Sequence, residues 1–263
     1  MRPVGELRKI KSGIRFVLTD IDDTLTDEGK LRAPVYSALW ELYKQGFIII
    51  PVTGRPAGWC DMIIRQWPVH AVVGENGAFV YYPSEKGGGG RIETLLHPEI
   101  SGDNPREKLA LLREKILEQV PGARIARDQP SRQFDLAIDY REDPPDLGFQ
   151  TAERIKDLCE TEGAMAKISS IHVNAWYGNY DKLSMTRHFL RRHYNMSDDD
   201  MLAEVLFCGD SPNDQAMFRH FPASCGVANI MTMLDHIAYP PAFITESPGG
   251  AGFVELAEVL LRG

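Results

Sequence analysis

Asp20 and Asp22 stand at the end of an apolar run, Phe16-Val17-Leu18-Thr19, with one residue between them. Residues two apart on an extended chain face the same side. Both carboxylates can therefore converge on one centre. Two acids so close repel each other unless a cation or a proton lies between them. The pair predicts a bound metal, an acid/base couple, or both. It also fits a plain acidic turn after a buried strand, and the rest of the chain decides between these readings.

Other reactive side chains recur in the same context. Thr53-Gly54-Arg55 follows the apolar run 47–52, and Glu75-Asn76-Gly77 follows Ala71-Val72-Val73. Asp210-Ser211-Pro212-Asn213-Asp214 follows the run 205–209, and Lys182 opens a helical stretch upstream of it. In open α/β sheets, ligands bind beyond the carboxyl ends of the strands. These residues are thus expected on one rim. Their chemistry suits phosphoryl transfer, whose transition state spreads negative charge over the equatorial oxygens. Asp20, Asp210 and Asp214 offer hard oxygen ligands for Mg²⁺. Lys182 adds a fixed positive charge, and the Thr53 hydroxyl with nearby N–H groups can hold phosphate oxygens. Asp20 is then the nucleophile and forms an aspartyl-phosphate. Asp22 shuttles the proton, a role suited to a crowd of carboxylates.

The elements that would position these groups alternate. A strand over 14–20 is followed by a helix over 33–45, with Pro34 in its first turn and Gly46 as its stop. The run 47–52 reads as a strand buried on both faces. A helix over 57–66 and a strand over 71–73 follow, with extended chain at 78–82. This order implies a parallel, doubly wound sheet. Gly87 to Gly90 then read as a loop tip. Beyond it the pattern changes to a helix capped at Asn104-Pro105 and running to 119, a half-exposed antiparallel strand over 133–140, a helix over 148–161, and a strand through 171–173. The α/β rhythm resumes at Lys182, with a helix to 194, strands at 205–210, 223–227 and 242–245, and a last helix over 252–261. The expectation is a Rossmann-like α/β core at 14–82 and 178–263, interrupted by an inserted α+β domain at 83–177, after a flexible N-terminus at 1–13.

The bulk numbers agree with a globular enzyme. The chain has 263 residues, 43% hydrophobic and 25% charged, with a net charge of -8. The negative charge argues against a nucleic-acid partner. No run approaches membrane-spanning length, and residues 1–13 lack the apolar region of a secretory signal. Cys60, Cys159, Cys208 and Cys225 form no CxxC pair, which fits reduced thiols in a cytoplasmic protein. A monomer or weak homodimer is expected.

The motifs Asp20-Ile21-Asp22-Asp23-Thr24, Thr53-Gly54-Arg55, Lys182 and Gly209-Asp210-Ser211-Pro212-Asn213-Asp214 resemble those of a haloacid dehalogenase (HAD) superfamily phosphatase, specifically its Cof-type (IIB) branch. Glu75-Asn76-Gly77 and the segment 249–254 resemble that branch too. The resemblance implies Mg²⁺ held by Asp20, the backbone carbonyl of Asp22, and Asp210, with Asp214 nearby. It implies a small phosphorylated substrate, most simply a sugar phosphate, and a cap domain between the second and third motifs. A mutase or phosphotransferase of the same superfamily is the alternative. A non-enzymatic phospho-acceptor is a further one, disfavoured by Asp22. Two positions depart from the pattern. Asp23 stands where the family more often has glycine, and Asp181 precedes Lys182 and could pair with it. Arg55 divides between a phosphate contact and a structural ion pair. Asn213 can act as a helix cap. In 172–177, His172 and Asn174 are candidate substrate contacts on an otherwise ordinary strand with a packed Trp176, and Arg141 is a charged residue that could meet an acidic group.

Overall fold

The computed structural model describes residues 1–84, 90–100 and 105–262. Six parallel strands form the main sheet, in the spatial order Arg2–Pro3, Phe243–Ile244, Ala223–Gly226, Val205–Gly209, Phe16–Thr19, Ile48–Pro51. Every strand residue of the central three is buried. Alternation then sends side chains to both faces. Val17, Ile49 and Leu206 pack under the helices Ala33–Lys44 and Gly249–Leu261. Phe16, Leu18, Ile50 and Phe207 pack under the helices Lys182–Tyr194 and Asp198–Glu204. This is the doubly wound architecture expected from the sequence.

The strand expected at 71–73 joins that sheet by one parallel bridge, Val52 to Val73. It then belongs to an antiparallel three-stranded sheet, Val72–Gly74, Phe79–Pro83 and Ile92–Leu96. The expected boundary at residue 83 therefore falls inside a hairpin. The N-terminus departs from the flexible reading. Arg2–Pro3 pairs with Phe243–Ile244, the Arg2 guanidinium lies 4.2 Å from the Phe243 ring centroid, and Val4 and Leu7 are buried. Strand pairing and two buried apolar side chains, three residues apart, thus dock a segment that is polar and basic in sequence. Gly87 to Gly89 and Asn104 lie outside the described residues. The helix expected from Asn104-Pro105 begins at Arg106 after Pro105.

A separate antiparallel sheet has the order Met165–Ile168, His172–Trp176, Asp135–Asp139, Arg124–Ile125. The helices Arg106–Gln119 and Phe149–Thr161 cover one of its faces, over Leu136, Ile138, Ala166, Ile168, Val173 and Ala175. The alternate residues face the other way. The strand Asp135–Asp139 was expected to be half-exposed, but all five residues are buried. Its polar residues are satisfied within the same segment, Asp135 by Arg132 and Asn174, and Asp139 by Arg124 and backbone N–H groups. Among the described residues no helix is long and apolar enough to cross a membrane.

Candidate active site

The strand Phe16–Thr19 delivers Asp20 at its carboxyl end, anchored by the Asp20 N–H donating to the Cys208 carbonyl at 2.9 Å. Lys182 begins the helix Lys182–Tyr194 and is buried. Its Nζ lies 2.8 Å from Asp20 Oδ1 and 2.8 Å from Asp214 Oδ1. Asp181 does not soften this charge. Its carboxylate caps the helix by accepting from Ser184 N at 2.7 Å, while Ser184 Oγ accepts from Asp181 N. The other Asp214 oxygen accepts from the N–H groups of Asp210 and Ser211. Gly209 makes room for that turn, since a Cβ there would lie 2.4 Å from Asp214 Oδ2. Asp210 accepts from the Thr24 hydroxyl and the Asn229 amide, both at 3.2 Å.

Asp20, Asp210 and Asp214 each bring a carboxylate oxygen within 4.8 Å of the others, and all three are buried. One lysine faces three acids, so the cluster carries excess negative charge. Burial, with Asp214 and Asp22 adding to it against Lys182, pushes the Asp20 carboxyl up to about 7. Burial, then Asp20 and Asp214, raises Asp210 well above the ordinary range. Burial works against the Lys182 charge, but Asp20 and Asp214 overcome it and raise its pKa. A hard divalent cation with oxygen preference fits this donor set and would relieve the crowding.

Asp22 sits in different surroundings from those expected. It is ion-paired with Arg55, whose Nη2 and Nε reach its two oxygens at 2.7 and 2.8 Å. Arg55 also binds Glu142 at 2.7 Å and lies 4.3 Å from the Trp59 ring centroid. The guanidinium is thus a structural partner between Asp22 and the four-stranded sheet's loops. In this geometry its guanidinium is engaged by Asp22 and Glu142. His172 likewise bonds Glu142 at 2.9 Å. Burial pushes Glu142 up, but His172 and Arg55 outweigh it and hold the carboxyl at about 2.

The remaining candidates have partners of their own. Thr53 is buried, and its Oγ1 accepts from Arg55 N. The Gly54 carbonyl accepts from Arg132, which is paired with Asp135; Asp135 in turn accepts from Asn174. A Cβ at Gly54 would come within 3.3 Å of both Asn76 and Asn174. Asn213 accepts from Ser211 Oγ at 2.8 Å. Asp23, at φ 55°, presents its carbonyl to Asn229, and burial raises its carboxyl pKa. It lines two cavities, of about 420 and 320 Å³, on the Asp22 and Asp210 sides.

The sequence did not single out Asn229, Arg132, Asp135 or Glu142 as site residues. They act on the reactive groups only across the fold, so no local spacing marks them. Glu75 is marked in the sequence only by its motif. It accepts from the N–H groups of Ala57, Gln133 and Phe134, tying the main domain to the four-stranded sheet. Burial and Asp135 push its carboxyl up to about 7 against Arg132 and those N–H groups. Glu75→Ala leaves three N–H groups without an acceptor and should cost on the order of 3 kcal/mol. A thermal melt checks this, and an unchanged midpoint would refute the seam.

The model of the haloacid dehalogenase-like hydrolase family matches residues 17–92. The chain is 25% identical over 252 residues to a phosphoglycolate phosphatase of Methanospirillum hungatei, covering 92% of this chain and 95% of that one. A HAD/COF-like hydrolase from Plasmodium vivax superposes with a TM-score of 0.70 at 21% identity, over 98% of each chain. The C-terminal domain of trehalose-6-phosphate phosphatase from C. albicans does so with 0.71 at 18% identity, over 99% of each. These solved structures share the fold, and the family model covers the strand that carries Asp20 and Asp22 through the Thr53-Gly54-Arg55 turn. With the four motifs assembled on one rim, residues 17–92 match the haloacid dehalogenase-like hydrolases, a likeness that supports a phosphatase enzyme, and the whole chain shares the fold of Cof-like hydrolases.

Proposed function

We propose that the protein is a Mg²⁺-dependent phosphomonoester hydrolase acting on a small sugar phosphate. The observation that carries this reading is the buried Lys182 ammonium placed 2.8 Å from both Asp20 and Asp214, with Asp210 completing the acidic triad. Asp20, Asp210 and the Asp22 carbonyl would hold Mg²⁺, which when bound neutralises charge on the phosphoryl oxygens. An Asp20 oxygen attacks phosphorus, and the bond to the leaving oxygen breaks. Asp22, swung from Arg55 and protonated, gives that oxygen its proton. Water then attacks the aspartyl-phosphate and yields a proton to Asp22, the bond to Asp20 breaks, and phosphate leaves. Thr53 and Lys182 hold phosphoryl oxygens throughout.

The four-stranded sheet and its two helices act as the cap. The leaving group takes the cavity of about 420 Å³ beside Asp22, lined also by Asp23, Glu28, Arg141 and Glu142. That volume lies within the range of small-molecule sites. Its carboxylates accept hydrogen bonds from hydroxyls, which supports a sugar. The phosphatases named above act on phosphorylated glycolate and trehalose, and both are phosphomonoesters.

Phosphate release from p-nitrophenyl phosphate with Mg²⁺, lost on chelation, is the expected result. A panel of phosphorylated metabolites compared by kcat/KM then identifies the compound, and transfer to an acceptor without phosphate release would favour a transferase. The cation also has a pH signature. Asp20 without a cation titrates near 7 in the folded protein against 3.8 as a free group. Its ionisation therefore costs stability as pH rises between those values, and metal binding must displace its proton. Mg²⁺ should raise the melting midpoint more at pH 8 than at pH 5. An equal or reversed effect would place the cation elsewhere.

A further inference from the structure

Lys167 lies on the strand Met165–Ile168, one residue from each of Ala166 and Ile168. Those two neighbours pack into the core beneath the cap helices. Alternation therefore turns Lys167 to the opposite face, toward the main domain. There it is half-buried and carries no ion pair among the described residues. Its register partner is Asn174, which a Cβ on Gly54 would meet at 3.3 Å. Lys167 lines one small cavity, of about 30 Å³, with Lys182, Asn76, Asn213 and Trp176. Asp181 also lines it, but its carboxylate is committed to the helix cap.

Asn76 supplies an independent observation. Its side chain is 2% exposed, and neither amide atom has a hydrogen-bond partner. A buried amide left so costs about 1–3 kcal/mol. The Asn76 backbone is left-handed, at φ 54°, inside a turn fixed by Glu75. The side chain is thus held toward the cavity by its own turn. Two lysines and an unpartnered amide line one void, a set of donors that suits an anion.

Size decides which anion. About 30 Å³ holds little more than a water molecule or two. It takes oxygens of a phosphoryl group and not a leaving group, for which the cavity beside Asp22 is more than ten times larger. We propose that Lys167 is a substrate-binding residue that the cap contributes to the phosphate, holding it with Asn76 and Lys182. Closure of the cap then depends on phosphate charge, because Lys167 gains its counter-ion only when both layers meet around the phosphoryl oxygens. A second cavity, of about 480 Å³, shares Lys167, Pro212 and Gln215 with the small one and is lined also by Glu153, Asp157 and His236. Glu153 faces His236 there at 3.5 Å, and Lys156, which also lines it, is paired with Glu160 at 2.9 Å.

The inference rests on the phosphatase reading, and inorganic phosphate separates the two. Calorimetric titration of phosphate into the full chain with Mg²⁺ should show binding, and Lys167→Gln should weaken it about tenfold or more. Lys167→Arg, which keeps the charge, should stay within about threefold of the parent. Lys167→Gln should also raise KM for p-nitrophenyl phosphate and for a sugar phosphate by the same factor, since the contact is to the shared phosphate. Phosphate affinity unchanged in Lys167→Gln overturns the proposal, and so does a KM effect confined to one leaving group. Binding without turnover in the parent would defeat the phosphatase reading and leave the subsite standing. Should Lys167→Gln fail to fold, loss of phosphate binding in Asn76→Gly, whose backbone keeps the left-handed turn, is the supporting result and retention the overturning one.

Discussion

Asp20→Asn should lower kcat for phosphate release by at least about 10³-fold, equivalent to roughly 4 kcal/mol of lost transition-state stabilisation. An amide of the same shape cannot attack phosphorus, and no other acid of the cluster can replace it. Asp214 is tied to Lys182 and to two N–H groups, and Asp210 to Thr24 and Asn229. The same change should make the cation-free protein more stable at pH 8. Burial, Asp214 and Asp22 all oppose the ionised Asp20, and its carboxyl is charged in full only above about 7. The neutral amide removes that cost, so the gain in melting midpoint should be larger at pH 8 than at pH 5. Single-turnover assays and melts in chelator check both halves. Activity within tenfold of the parent would remove Asp20 from the nucleophile role.

Lys182→Met should be as damaging to activity and far more damaging to the fold. The ammonium is the common partner of two buried carboxylates. Removing one member of a buried ion pair leaves an uncompensated charge, which costs about 3–5 kcal/mol. For a chain of this size that lowers the melting midpoint by roughly 6–20 °C. The loss should be greatest at pH 8 and smaller at pH 5, where Asp20 takes up a proton. Added Mg²⁺ should restore part of the midpoint, because the cation replaces the missing charge. An unchanged midpoint at pH 8 would mean that Lys182 does not neutralise the cluster.

The rim was legible because each of its residues ends a strand or opens a helix. An apolar run followed by Asp20, Thr53 or Asp210 carries its own address in an α/β sheet. Arg55 shows where such reasoning stops. Its position after Thr53 is local, but Asp22, Asp128 and Glu142 come from three distant segments. Its structural role emerges only when they converge. The strand Asp135–Asp139 failed for the same reason. Alternation marks one face as polar, and a polar face by itself reads as exposed. Arg132, Asn174 and backbone N–H groups of residues 141–143 make that face as buried as the other. At the N-terminus, Val4 and Leu7 outweighed neighbouring charges that point to solvent.

The amino-acid sequence by itself determined the doubly wound core, the order of its elements, and the identity of the acids, hydroxyl and lysine on its rim. Those follow from hydrophobic period and strand-end position, which are local properties. The tertiary structure alone decided how charge is shared among them. Lys182 answers Asp20 and Asp214, Arg55 answers Asp22 and Glu142, and Asp181 answers only its own helix. Electrostatic energy depends on distance and burial, and neither is written in the spacing of residues along the chain.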